Sequence, residues 1–407
     1  MSNLSHSVPP VTRGEPAAKK QSLSLGVSLF LIFFVGALSY GAGFFNSELK
    51  SATGLGRDDL DLSSVQETYA AAAKNFDGDI DRAKLIEGAN RGLVDALGDD
   101  YTVFMNSKES QEYTDALEGN HGSGVGIEVG LRNGTPTVLR VLKDNPAERA
   151  GIQSGDTLVA VNGENVADKS VQEAVSKILG EAETTVKLTV NRQGEEKEFT
   201  MTREVINDPS AYGEIKDGVG VMTISRFDTN TGDLARAVAR DFKDKNVKAV
   251  VLDLRGNGGG YVTAAQDVAG IWLNNELVVS ERRNGRSMDE LKTGKNTLLE
   301  GVPTVVVVNK SSASASEIVA GALRDHGAAK LLGETTFGKG SVQKMVNLSY
   351  GAMLKVTIAR WYTPAGVNIS ETGIKPDVEV ERTVEDLNAS RDPQLDAALK
   401  LVLNRDA

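Results

Sequence analysis

Two stretches built around continuous apolar runs, 248–255 and 303–310, constrain this chain more than any other feature. A strand whose residues are apolar in succession, rather than alternately, has both faces covered, as in a parallel sheet flanked by helices. Each stretch delivers into a loop of small residues and then into a helical pattern. Arg255-Gly-Asn-Gly-Gly-Gly260 precedes a helix over 262–274, and Lys310-Ser-Ser-Ala-Ser314 precedes one over 314–326. With a further strand over 329–334, the alternation predicts a mixed α/β core between about 206 and 380.

The segments outside that core differ in texture. Residues 62–97 read as helices, with Ile86, Ala89, Leu93 and Leu97 at helical spacing and Gly98 as a stop. From Gly122 to Glu204 the pattern is one of short strands with two short helices, one of them near 170–179. A last helix from Gln394 to Leu403 places Leu395, Leu399 and Leu403 on one face. The apolar stripes of the first and last helical regions predict a homodimer. At the other end, Leu23 to Phe45 is uncharged and long enough to cross about 30 Å of hydrocarbon as a helix. Residues 1–20 lean basic and the residues after 45 lean acidic, which predicts a cytoplasmic tail, a membrane anchor over 21–45 and an extracytoplasmic body at a cell membrane. The alternative is a cleaved signal peptide with Ala37-Leu38-Ser39 as its cleavage site, which leaves the body in the same compartment.

Composition removes whole classes of chemistry. The absence of cysteine excludes disulfides, thiol nucleophiles and Cys-ligated zinc. Three histidines, His6, His121 and His326, leave little for a metal site, and no cofactor is expected. A net charge of −11 argues against nucleic acid as a partner.

Three signatures compete for the remaining chemistry. Gly333-Glu-Thr-Thr-Phe-Gly338-Lys339 matches a phosphate-binding loop up to the lysine, but Gly340 stands where a Ser or Thr must hold Mg²⁺. Ser341-Val-Gln-Lys344 and Lys292-Thr-Gly294 match penicillin-binding motifs in reversed order. The third signature centres on Ser314, where a covered strand turns into a helix. There a hydroxyl sits at a helix N-terminus, beside free N–H groups that suit a developing oxyanion. Ser314-x-x-Glu317 also reads as a plain capping box. A histidine base is badly placed, whereas a lysine can serve if burial lowers its pKa. Lys339, between Gly338 and Gly340, can approach a cleft closely or can be an ordinary loop lysine. Gln343 can orient its amine or lie on the surface. The loop 256–260 presents bare N–H groups fit for an anion, or is simply a connector.

At this point the residues match a family. Asp253-Leu-Arg-Gly-Asn-Gly-Gly-Gly260, the run from Asn309 to Asp325, Gly333 to Gln343, Tyr362-Thr-Pro-Ala-Gly366 and Gly373-Ile-Lys-Pro-Asp377 resemble the carboxyl-terminal processing (tail-specific) proteases in order and content. The resemblance spans 62–380. It implies a helical N-terminal region (46–121), a PDZ domain (122–204), a serine protease core with a Clp protease/crotonase-type fold (205–385) and a C-terminal helix (386–407). It further implies Ser314 as nucleophile, Lys339 as general base, Gln343 as the residue orienting the lysine, and the N–H groups of Gly260 and Ala315 as oxyanion hole. The PDZ domain implies protein substrates held by a free C-terminus, with Gly124, Val125, Gly126 and Ile127 at the carboxylate and Val175 and Ile178 beside the last side chain. Two departures stand out. Ile178-Leu179-Gly180 replaces the family's Ile-Arg-Gly, whose arginine couples PDZ position to the active site, and Val367 replaces the arginine of Pro-x-Gly-Arg. An intact Ser314, Lys339 and Gln343 set argues against a rival reading, a silent PDZ adaptor.

Overall fold

The computed structural model describes residues 60–403 apart from 121, 133 and 390; the anchor expected at 21–45 lies outside the described residues. Among the described residues no helix is long and apolar enough to cross a membrane. The chain divides at residue 82 into two units. The described part of the first, residues 60–82, contains the helix Ser63–Asn75, which buries none of its own residues.

In the second unit, the covered strands form the expected sheet. Its six strands run in the order Ala211–Lys216, Val219–Ile224, Ala249–Asp253, Thr304–Val308, Lys330–Gly333 and Val378–Glu379, all neighbours parallel except the first hairpin. Alternation within the apolar runs explains why both faces are covered. Val250, Leu252, Val306 and Val308 join a core with the helices Thr231–Asp244, Val262–Ala269 and Ala315–Asp325. Val251, Val305 and Val307 point the other way, into a core completed by Ala398 and Val402 of the helix Pro393–Leu403.

The structure corrects two details. The helix expected over 262–274 ends at Ala269, because Ile271, Trp272 and Leu273 are buried in a turn rather than on a helix face. Trp272 there donates to Thr304 at 2.9 Å. The last helix buries Gln394, Ala398 and Val402, while Leu403 is exposed, since Gln394 is drawn inward by Arg255 and by the Val380 carbonyl. In the helix Arg82–Asp95 only Val94 is buried, so the stripe through Ile86 and Leu93 lies uncovered.

A second, five-stranded antiparallel sheet is organised around the long strand Met353–Tyr362. Ser341–Asn347 pairs along one edge; Val103–Met105 and Leu277–Arg283 share the other, and Arg286–Lys292 pairs with Leu277–Arg283. The 103–105 pairing brings the turn at Asp99–Thr102 and the helix Ser107–Glu118 to the side of the molecule that carries Lys339. That helix starts at Asn106 with a full capping box, and its Glu109 also binds Arg91 at 2.7 Å.

The strand-rich domain carries the sheet Ile127–Arg132, Thr135–Val141, Thr157–Val161, Thr185–Arg192 and Glu195–Thr202, with the helix Val171–Ile178 beside the first strand. Ile127–Arg132 pairs with one neighbour only, so it is an edge. Arg203 is buried beneath the end of that helix and donates to the Ile178 carbonyl at 2.7 Å. The domain is tied to the core through Asp208, which accepts from Arg226 at 2.7 Å and lies 3.5 Å from Arg140.

Candidate active site

Three separate segments bring Gly260, Ser314, and Lys339 with Gln343 to the lining of one cavity of about 320 Å³. Its apolar wall includes Val262, Val279, Ile318 and Val342, and its rim includes Tyr113 and Leu117.

Ser314 caps the helix Ala315–Asp325 with φ +55° and ψ −113°. A non-glycine residue in that region is strained, and such strain clusters at functional turns. The glycine loop is pressed against it. A Cβ at Gly259 would lie 2.7 Å from Ser314 Cβ, and one at Gly260 would lie 2.0 Å from the Phe227 carbonyl oxygen. Glycine is therefore required at both positions, which also have φ of +105° and +142°. Phe227 locks the loop, donating to Gly259 and accepting from Tyr261 at 2.9 and 2.8 Å. Asn257 braces it from within, donating to the Ile224 carbonyl and accepting from the Gly259 N–H, both at 2.9 Å. Ala315, the first residue of its helix, has an N–H that no intrahelical carbonyl can accept.

Glu317 is the residue whose importance sequence reasoning misses. In the sequence it reads only as a helix cap, yet it is fully buried and its carboxylate accepts four hydrogen bonds. The donors are the N–H groups of Ser314 (2.9 Å), Gly338 (2.8 Å) and Lys339 (3.0 Å) and the Thr336 hydroxyl. One side chain thus fastens the backbone of the serine to that of the lysine. Burial raises its pKa, against the pull of the four donors.

The Lys339 side chain enters the cavity half-buried. Burial is the main cause of its lowered pKa, and the nearby Lys355 charge adds to it, while Asp99 and Glu317 oppose both. Its ammonium lies 5.2 Å from the centre of the Tyr101 ring. The Lys339 carbonyl accepts from Trp361 Nε1 at 2.8 Å, so the backbone here is pinned on both sides. Gln343 lines the same cavity, but its amide nitrogen donates to the Ser341 and Thr357 hydroxyls at 2.8 and 3.3 Å. Its amide oxygen is left as the acceptor for an amine. Thr357 is linked onward, its N–H donating to Thr102, whose hydroxyl donates to Asp99. No signal in the sequence joins 99–102 to Ser314, Lys339 or Gln343.

The PDZ positions are spread more widely. Gly124 is paired with Glu204 in a short ladder. The carbonyls of Val125 and Gly126 accept from Ala147 and Leu142 at 2.8 and 2.9 Å, and Ile127 opens the edge strand. The Val125 and Ile178 side chains belong to the domain's core, whereas Val175 is half-buried beside the strand. Leu179 is exposed.

Comparison with known proteins defines the class. Residues 218–380 match peptidase family S41, residues 137–192 a PDZ domain, and residues 45–109 the N-terminal domain of the activating protease CtpB. The chain is therefore a serine-type peptidase bearing a PDZ domain. It is 32% identical to the carboxy-terminal processing protease CtpB of Bacillus subtilis (strain 168), over 86% of this chain and 73% of that one. To a protein of Staphylococcus haemolyticus (strain JCSC1435) described as a probable CtpA-like serine protease it is 35% identical, over 81% of this chain and 66% of that one. The chain thus spans about two thirds of the length of that relative. Among solved structures, the photosystem II D1 C-terminal processing protease is 28% identical with a TM-score of 0.51, over 79% of this chain and 87% of that one. The chain belongs to the C-terminal processing protease family.

Proposed function

We propose that this chain is a membrane-anchored, extracytoplasmic endopeptidase that selects protein substrates by their free C-termini and cuts them with a Ser–Lys dyad. The observation that carries the reading is the convergence of Ser314, Lys339, Gln343 and Gly260 on one cavity. Neutral Lys339 takes the Ser314 proton as the oxygen attacks the peptide carbonyl, and returns it to the leaving amine. The oxyanion is received by the N–H groups of Gly260 and Ala315. Water activated by the same lysine then hydrolyses the acyl-enzyme. Gln343, with its amide nitrogen engaged, offers its oxygen to hold the amine in line. Substrate tails add to the edge strand Ile127–Arg132, with their carboxylate at the 124–127 loop and their last side chain near Val175. The uncovered stripe on Arg82–Asp95 supports a homodimer, which sedimentation would test; a clean monomer at high concentration removes it.

A fluorophosphonate should label the wild type and not Ser314→Ala. A wild type that never reacts would favour the silent adaptor instead. A substrate with a free apolar C-terminus should bind roughly ten- to a hundredfold better than its amidated twin, the worth of a charge-assisted carboxylate contact. Equal cleavage of the two would remove the tail-recognition claim and leave the dyad standing.

A further inference from the structure

The catalytic cavity contains a second lysine that the proposed reaction does not use. Lys355 lies on the strand Met353–Tyr362, opposite Met345 on one edge and Val103 on the other, and lines the same cavity as Ser314 and Lys339. It forms no ion pair among the described residues; its ammonium sits 5.2 Å from the centre of the Tyr113 ring. A half-buried cation without a counter-ion costs free energy, which the Tyr113 ring offsets only in part. What lies nearby is another lysine.

The groups facing Lys339 divide by sign. Asp99 from the turn before Val103 and Glu317 from the helix behind Ser314 favour its charged form. Tyr101 presents a ring face to its ammonium, which does the same. Glu281, on the strand Leu277–Arg283, lines the cavity as well. Lys355 alone among these carries a charge that disfavours the ammonium. Burial pushes both lysines down, and the charge of Lys355 beside it pushes Lys339 further, so an ammonium at Lys355 favours the neutral form of Lys339.

We propose that Lys355 is a positioning residue of electrostatic kind: a cation held in the cavity wall to keep Lys339 in its neutral, proton-accepting form. This rests on Lys339 being the general base. Removing the Lys355 charge leaves Asp99, Glu317 and Tyr101 unopposed, and the base becomes harder to deprotonate. Because the base works only above its own pKa, activity should then be lost at neutral pH and recovered at alkaline pH.

The test uses the full chain and two readouts, the rate of fluorophosphonate labelling at Ser314 and the cleavage of casein, each followed from mildly acidic to strongly alkaline pH. In Lys355→Met the acid limb of both profiles should move upward by on the order of one pH unit. Rates should be about tenfold lower below the limb and close to wild type above it. Lys355→Arg keeps the charge and should keep the wild-type limb. Melting temperatures of the two variants establish that both are folded. A limb that stays in place in Lys355→Met while the rate drops equally at every pH overturns the proposal and makes Lys355 a structural residue. The proposal falls equally if Lys355→Arg shifts the limb as far as Lys355→Met. A wild-type profile with no acid limb overturns the lysine base and this proposal together, so the two failures are distinguishable.

Discussion

The two walls of the cavity lined by Ser314 and Lys339 are built on different plans. The wall that holds Ser314 and the glycine loop rests on the carboxyl ends of neighbouring parallel strands, Ala249–Asp253 and Thr304–Val308, both buried. Its polar groups are tied to backbone, as Asn257 and Glu317 illustrate. The facing wall belongs to the antiparallel sheet, where Gln343 and Lys355 come from paired strands and Tyr101 and Tyr113 from segments that lead into and out of Val103–Met105. Lys339 is anchored to the first wall by its backbone, while its ammonium reaches towards the second. The contrast marks where fixed geometry ends and tunable electrostatics begins. Ser314 is placed by hydrogen bonds, and the protonation of Lys339 is set by burial and by neighbouring charges.

Changes to the dyad itself should disable both walls at once. Ser314→Ala and Lys339→Ala should each lower kcat by on the order of 10⁴-fold or more, and the double variant should be little worse, because the two act as a unit. Lys339→Arg should be as inactive, since a guanidinium does not give up its proton. In the wild type, activity should fall as pH drops through the lowered pKa of Lys339, and appreciable turnover by Lys339→Ala would mean that the second wall is dispensable.

The next largest effect should come from the clamp. Glu317→Ala leaves three N–H groups and the Thr336 hydroxyl without their acceptor, so serine and lysine backbones lose their common tie. A shift of about 1 Å in a reacting group costs roughly a hundredfold in rate. We expect that loss together with a lower Tm, and a partial return of both in Glu317→Gln, whose amide keeps one acceptor oxygen. A variant with wild-type kcat but reduced Tm would show that the clamp stabilises without placing the dyad.

The smallest effect should lie on the electrostatic wall. Tyr101→Leu removes a ring that favours the charged form of Lys339 by about 0.5–1 kcal/mol. The base then loses its proton more readily, and the acid limb should move downward by less than one pH unit. That is opposite in sign to the shift expected for Lys355→Met, and a shift in the same direction would contradict the division of charges described above.

The same two walls differ in how far they can be read from sequence. Ser314, Lys339 and the 256–260 loop stand in short motifs whose local composition already carries their chemistry. The covered strands that place them are visible as apolar runs. Glu317 is visible only in its commonplace role as a capping residue, because its other donors, Thr336, Gly338 and Lys339, approach from a loop later in the chain. Asp99, Tyr101 and Lys355 leave no trace, since they meet through the pairing of Val103–Met105 with Met353–Lys355, far apart in the chain and without a turn signal between them. The last helix is legible in position but only partly in rotation: Leu395 and Leu399 pack against the core as expected, whereas Gln394, held by the half-buried Arg255, takes an inward place that no hydrophobic reading gives it. Arg255 is itself held by Asp253 and Asp392 at 2.6 and 2.8 Å, and no periodicity reports such a partner.

The left-handed turn at Ser314 has a meaning for the history of such a site as well as for its chemistry. A glycine there would hold the turn with less strain, and the helix behind it would still begin at Ala315. The backbone would be less strained without the very side chain proposed here as the nucleophile. On the proposed reading, change at this position is drawn towards a less strained but inert molecule, and selection for cleavage is what holds the serine in place.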